Sequence, residues 1–325
     1  MNRAFGLTSA MAVLALLVGG ASAGGAAEPE LKAEAAAPGQ MPAPPVSGEV
    51  QPPLPYIDLD RTGHSVPLYE TDDAEWGFQT LPEGLIYRAY LAGPKESRLY
   101  TSAVRIPDDS WLWDATLGAR VGVFRLGTRD PVRPRGLQMD VEASVQARLD
   151  LMEEVDLRSA DYRVGVPLTC NERSQWKFGY YHISSHVGDE FLLKNPAFPV
   201  FFQCRDALVL GHSLYLTDSL RMYLEAAWAF QCRASEPWEF QFGVDYAPRA
   251  PTGPRGAPFV ALNGHLRQEV NFGGGLTAQT GWAWRSDHNA RLVRVGLQYY
   301  NGQSPQYVFL PYHEQQIGVS FWYDF

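Results

Sequence analysis

Leu137-Gln138-Met139-Asp140-Val141-Glu142-Ala143-Ser144-Val145-Gln146-Ala147-Arg148-Leu149-Asp150 alternates apolar and polar side chains without a break. A period of two places Leu137, Met139, Val141, Ala143, Val145, Ala147 and Leu149 on one face of a strand, and the polar residues on the other. Such a strand is much longer than the five or six residues usual in a soluble sheet. Its polar face carries both signs of charge, as the lining of a barrel in lipid does while the apolar face meets the acyl chains.

The same writing continues in both directions. Ala115, Leu117, Ala119, Val121 and Val123 alternate with polar or glycine positions, as do Ala160, Tyr162, Val164, Val166 and Leu168. Further strands are read through Trp176–Tyr180, Leu208–Leu216, Met222–Phe230, Trp238–Tyr246, Phe259–Leu266, Phe272–Trp284, Val293–Tyr299 and Ile317–Phe325. One more is expected at Leu85–Leu91 or Leu99–Ile106. The count is about twelve, on the usual pattern of ~10-residue strands. Trp111, Trp113, Trp176, Trp238, Trp282, Trp284, Tyr299 and Tyr323 sit toward strand ends, which suits an aromatic girdle at a membrane interface. The expected fold is therefore all-β, an antiparallel transmembrane β-barrel.

Composition narrows the function. The 325 residues are 13% aromatic and 19% charged, with net charge −9, and Lys and Arg are scattered rather than clustered, so nucleic-acid binding is not expected. A mean hydropathy of −0.22 without a long internal apolar run excludes a polytopic helical membrane protein but leaves a barrel open, because its two faces average out. Arg3, the apolar run Ala10–Val18 and Ala21-Ser22-Ala23 read as a signal peptide over residues 1–23. Residues 24–80 read as an Ala/Pro-rich flexible linker in the periplasm, and residues 81–325 as the barrel, in the outer membrane of a two-membrane bacterium.

Ile317, Val319, Phe321, Tyr323 and the terminal Phe325 place an apolar or aromatic side chain at every second position. This resembles the closing strand of bacterial outer-membrane barrels. The resemblance implies two partners, outer-membrane lipid and the barrel-assembly machinery, the latter through the strand ending at Phe325. With Phe325 on the periplasmic side, the long connection from Ser185 to Arg205 falls outside and Thr217-Asp218-Ser219 inside. The short connections Glu153–Arg158 and Leu266–Glu269 also fall outside. Reflecting the hairpin about Asp218 sets Cys204 opposite Cys232, and export allows a disulfide there; two unpaired thiols are the alternative, and Cys170 is left over.

The expected lumen lining is Arg120, Asp140, Glu142, Arg148, Asp161, Arg163, Glu225, Asp245 and Arg294. A mixed-sign lining fits either a narrow solute channel or a lumen closed by its own salt bridges. The stretch with chemistry is Tyr180-Tyr181-His182-Ile183-Ser184-Ser185-His186-Val187-Gly188-Asp189-Glu190. His182 and Ser184 share the face assigned to lipid, and an imidazole beside a hydroxyl can activate it, with Asp189 or Glu190 as orienter. His182, His186, Asp189 and Glu190 are an alternative metal set. The plain alternative is a polar rim turning a strand into its loop.

The His-x-Ser pair is similar to that of outer-membrane lipid A deacylases, which implies a lipid esterase using Ser184 and His182. Leu85-Ile86-Tyr87-Arg88-Ala89-Tyr90-Leu91-Ala92-Gly93-Pro94-Lys95-Glu96-Ser97-Arg98, taken with His182–Glu190, resembles a family of bacterial envelope proteins of unassigned function. That family adds no catalytic residue, and no cofactor is expected. The expected role is a narrow solute channel or structural envelope protein, and the lipid esterase is the alternative.

Overall fold

The computed structural model describes residues 75–107, 110–200 and 203–325. The expected signal peptide, and all but the last residues of the expected linker, lie outside them. Among the described residues thirteen strands form one antiparallel sheet: β1 (Trp76–Thr80), β2 (Leu99–Arg105), β3 (Trp111–Thr128), β4 (Gly136–Asp150), β5 (Asp156–Cys170), β6 (Ser174–Val187), β7 (Gln203–Tyr215), β8 (Leu220–Arg233), β9 (Trp238–Tyr246), β10 (Ala257–Arg267), β11 (Gly273–Arg285), β12 (Leu292–Gln303) and β13 (His313–Asp324). A short helix, α1 (Asp189–Lys194), follows β6.

Strands β2 to β13 pair in chain order, and β13 returns to β2 with Ile317 opposite Arg105 and Tyr323 opposite Leu99. The ring of twelve is closed, so these strands leave no open edge to lipid. Burial is inverted relative to a soluble core. On β4, Leu137 and Val141 are 45% and 40% exposed while Gln138 and Asp140 are fully buried. Outward rows of Leu, Val, Phe and Trp circle the wall and polar rows face in, which is the arrangement a hydrocarbon solvent selects.

Two boundaries differ from the sequence reading. Trp76–Thr80, expected inside the linker, forms β1 and pairs with the far half of β3, Trp76 opposite Thr128 and Thr80 opposite Phe124. The nearer half of β3, Trp111–Leu117, pairs with β2. Between β1 and β2 the chain leaves the wall and crosses the lumen as a strap. Of the two stretches considered for the first strand, Leu99–Arg105 enters the sheet and 85–91 does not. The reason is the pattern: Leu85-Ile86-Tyr87 and Tyr90-Leu91-Ala92 are contiguous apolar triplets that need burial on every side, and all six side chains are buried.

The wall holds the strap mainly by its backbone carbonyls. Arg125 donates to the carbonyls of Glu83 (2.8 Å) and Gly84 (2.7 Å), Gln175 to Ile86 (2.6 Å), and Arg221 to Arg88 (2.9 Å) and Ala89 (2.6 Å). Tyr90 stacks on Tyr223 with ring centroids 3.9 Å apart and donates to Glu225 at 2.9 Å. Gly211 of β7 makes room for these rings, because a Cβ there would lie 3.0 Å from Tyr90 Oη and 3.1 Å from Tyr87 Oη. From the end of the barrel opposite the chain terminus, the β12–β13 connection folds inward and buries Tyr307, Val308 and Phe309.

Many of the remaining interior charges pair with one another. Arg120 pairs with Asp140 (2.6 Å), Arg148 with Asp114 (2.7 Å) and Glu314 (2.8 Å), Arg163 with Glu142 (2.9 Å) and Arg294 with Asp324 (2.8 Å). Asp161 takes the strap's Lys95, Glu225 takes Lys177 and Asp245 takes Arg221. Removing one member of such a pair strands a buried charge, and the Lys95–Asp161 pair ties the strap to the wall.

Candidate functional site

The outward face of β6 carries a cluster of imidazole, hydroxyl and phenol side chains. Even-numbered side chains Trp176, Phe178, Tyr180, His182, Ser184 and His186 point away from the lumen, whereas Gln175, Lys177, Tyr181, Ile183 and Ser185 are buried in it. On the adjacent strand β7, Asp206 lies directly opposite His182 and Cys204 opposite Ser184. The Asp206 carboxylate stands 3.0 Å from His182 Nδ1, and the same oxygen accepts the Tyr180 hydroxyl at 2.5 Å. His182, Asp206, Ser184 and Cys204 are all half-buried, beside the exposed apolar side chains Val164, Trp228 and Phe230.

This geometry has a definite chemical sense. A carboxylate at Nδ1 fixes the imidazole tautomer and leaves Nε2 as the free base. Ser184 is two residues along the same strand, hence on the same face and about 7 Å away in Cα position. Asp206 is also an ionisable group on the outward face, near the start of β7. Its partners are His182 and Tyr180.

The carboxylate that the structure sets against His182 is not either of those expected from sequence. Asp189 and Glu190 are exposed in the first turn of α1, beyond the end of β6, and the carboxylate that meets His182 is Asp206, 24 residues downstream. His186 is exposed and sets its ring edge-on to Tyr162 at 5.6 Å. The expected metal set His182, His186, Asp189 and Glu190 is therefore not the group that this register brings together. His182, Cys204 and Asp206 are, with one donor atom from each within 4.8 Å of the others.

The cysteine hairpin is also corrected. Cys204 opposes Arg233 and Cys232 opposes Arg205, because the register shifts by one residue at Asp206/Ala207, where β8 bulges at Phe230. The bulge turns Cys232 inward onto the Tyr181–Ile183 cluster while Cys204 stays outside with His182, and all three cysteines are free thiols.

The expected lining residues all stand on the lumen side. Arg120, Asp140, Glu142, Arg148, Asp161, Glu225, Asp245 and Arg294 are buried, and Arg163 is half-buried against the Tyr181 ring, 4.1 Å from its centroid. Arg98, Lys95 and Tyr90, which the strap adds to this interior, were not assigned there from sequence. Outside the membrane-spanning strands, Glu269 occupies the turn between β10 and β11. Burial, and next the nearby Glu239 carboxylate, push its carboxyl pKa above the usual range.

A closed antiparallel ring with an apolar exterior, a charge-paired interior and a strap across its lumen defines a transmembrane β-barrel of the outer-membrane type. The chain belongs to the family described as Protein of unknown function (DUF1207), which matches residues 63–325. The resemblance carried by Leu85–Arg98 and His182–Glu190 to an envelope family of unassigned function thus stands. No curated protein matches the chain. Solved structures with a similar barrel include the Salmonella typhi outer membrane phospholipase (OMPLA) dimer with bound calcium, at 11% identity and TM-score 0.47, covering 70% of this chain and 90% of that one. The KdgM porin matches at 12% identity and TM-score 0.39, covering 70% and 98%. A mutant of the Rh. blastica porin matches at 9% identity and TM-score 0.31, covering 71% and 99%. These likenesses are likenesses of fold.

Proposed function

We propose that the protein is an outer-membrane lipid ester hydrolase whose Ser184, His182 and Asp206 act on the outward face of the barrel. The observation that carries this reading is the 3.0 Å contact of Asp206 with His182 Nδ1, on the face that also holds Ser184. Ser184 Oγ attacks the ester carbonyl and His182 Nε2 takes its proton. Asp206 steadies the imidazolium, and Tyr180 holds Asp206. The leaving alcohol recovers the proton from His182, and water then cleaves the acyl-serine by the same route. A substrate dissolved in the membrane reaches this face without entering the lumen, which agrees with a lumen filled by the strap.

The test is release of fatty acid from phospholipid in mixed micelles by the purified, folded barrel. Ser184→Ala and His182→Ala lower the rate by roughly a thousandfold or more, and Asp206→Ala by less. Ester hydrolysis that is undiminished in Ser184→Ala overturns the assignment.

A second reading, a gated path for small solutes, is favoured by one feature. Between strap and wall lies a small polar cavity of about 60 Å³ that includes Gln146, Gln279, Gln298 and Gln316 in its lining. A steady planar-bilayer conductance that is unchanged by Ser184→Ala, in a protein without ester hydrolysis, supports this reading over the first.

A further inference from the structure

We propose that His182, Cys204 and Asp206 form a binding site for one zinc-class divalent cation on the outward face of β6 and β7. Each supplies a donor atom, and these three atoms lie within 4.8 Å of one another with the side chains half-buried. Cross-strand register fixes the triangle: His182 is opposite Asp206, and Cys204 is two residues before Asp206 on the same face. With bonds of about 2.0 Å to nitrogen and oxygen and 2.3 Å to sulfur, donors around a tetrahedral zinc lie ~3.3–3.5 Å apart. The His182–Asp206 contact at 3.0 Å is already near that spacing, and small side-chain rotations close the rest.

The donor set selects the metal class. A thiolate with an imidazole suits zinc and its neighbours, whereas calcium and magnesium require oxygen ligands throughout. Binding converts the Cys204 thiol to a thiolate and releases its proton to solvent, and the imidazole carries its single proton on the nitrogen turned away from the metal. Three protein donors leave a fourth position for water, as in open zinc sites. The two strands fix the donors from neighbouring backbones, so no loop has to close. When occupied, the site withdraws the imidazole and the carboxylate from Ser184, and the cation inhibits hydrolysis. That consequence rests on the hydrolytic reading, whereas the binding itself does not.

The experiment is a cobalt(II) titration of the folded, full-length barrel in detergent micelles, followed by absorption. One equivalent of cobalt produces the near-ultraviolet thiolate-to-cobalt absorption, and added zinc abolishes it. Cys204→Ser loses this absorption while Cys170→Ser/Cys232→Ser retains it, and Asp206→Ala weakens binding by about tenfold or more. Ser184→Ala, which removes hydrolysis under the reading above, keeps the full cobalt signal, so the two claims fail separately. Absence of the absorption in the unsubstituted protein, or its persistence in Cys204→Ser, overturns the site.

Discussion

Arg221→Met removes the strap's most connected anchor. The Arg221 side chain is 3% exposed; its two terminal nitrogens donate to the carbonyls of Arg88 and Ala89, and its Nε reaches Asp245 at 3.2 Å. The backbone N–H of Leu91 also donates to Asp245, at 3.3 Å. Methionine keeps most of the stem but strands a buried carboxylate, at a cost of about 3–5 kcal/mol. Two strap carbonyls lose their donors as well, at about 1 kcal/mol each. Undocking of the strap relieves most of this by admitting water. At 1.4 kcal/mol per factor of ten, the undocked population rises by roughly a thousandfold.

Hydrogen exchange in micelles reads that population directly. Amides of Leu85–Ala92 exchange faster by about that factor in Arg221→Met, while those of β11 to β13 keep their protection. Arg221→Met/Asp245→Leu, which removes both charges, recovers most of the loss, a coupling expected of neighbours in one network. Unchanged strap exchange, or acceleration spread evenly around the wall, would refute the claim that these contacts hold the strap.

Gly211→Val tests the same docking through shape. The added methyls collide with the Tyr87 and Tyr90 hydroxyls, at a cost of about 1–3 kcal/mol, and strap exchange quickens with no change of charge. Glu269→Gln tests burial at the rim, where neither carboxylate oxygen has a hydrogen-bond partner. A carboxyl whose folded pKa is raised loses stability as pH rises through its ordinary range. Urea unfolding therefore shows Glu269→Gln more stable by about 1 kcal/mol at neutral pH, with the two proteins converging in acid. Tyr180→Phe removes a donor to Asp206 without touching Ser184, and ester hydrolysis falls by about tenfold while the fold is retained.

The barrel was legible because alternation is local. Each strand states its two faces within its own residues, as Leu137–Asp150 does, and the inverted burial follows once the apolar row is assigned to lipid. Leu85–Arg98 stands out in the sequence as a motif but not as a plug, since contiguous apolar residues such as Leu85-Ile86-Tyr87 do not say against what they are buried. Register was the harder part. A bulge at Phe230 inserts one residue in β8 and separates Cys204 from Cys232, and no local pattern announces it. Asp206 escaped for a related reason. Its contact with His182 depends on how residues 188–202 set the register of β7 against β6, whereas Asp189 and Glu190 lay temptingly close in sequence.

The proposed hydrolysis takes place on the outer face of the barrel, whose lumen the strap crosses. The most direct measurement is fatty-acid release from phospholipid micelles by the folded protein and by Ser184→Ala, His182→Ala and Asp206→Ala, each checked for retained barrel structure. The proposed hydrolase releases fatty acid when unsubstituted, loses nearly all release in the first two variants and part of it in the third. Equal release by the unsubstituted protein and Ser184→Ala, or no release by any of them, contradicts the proposal.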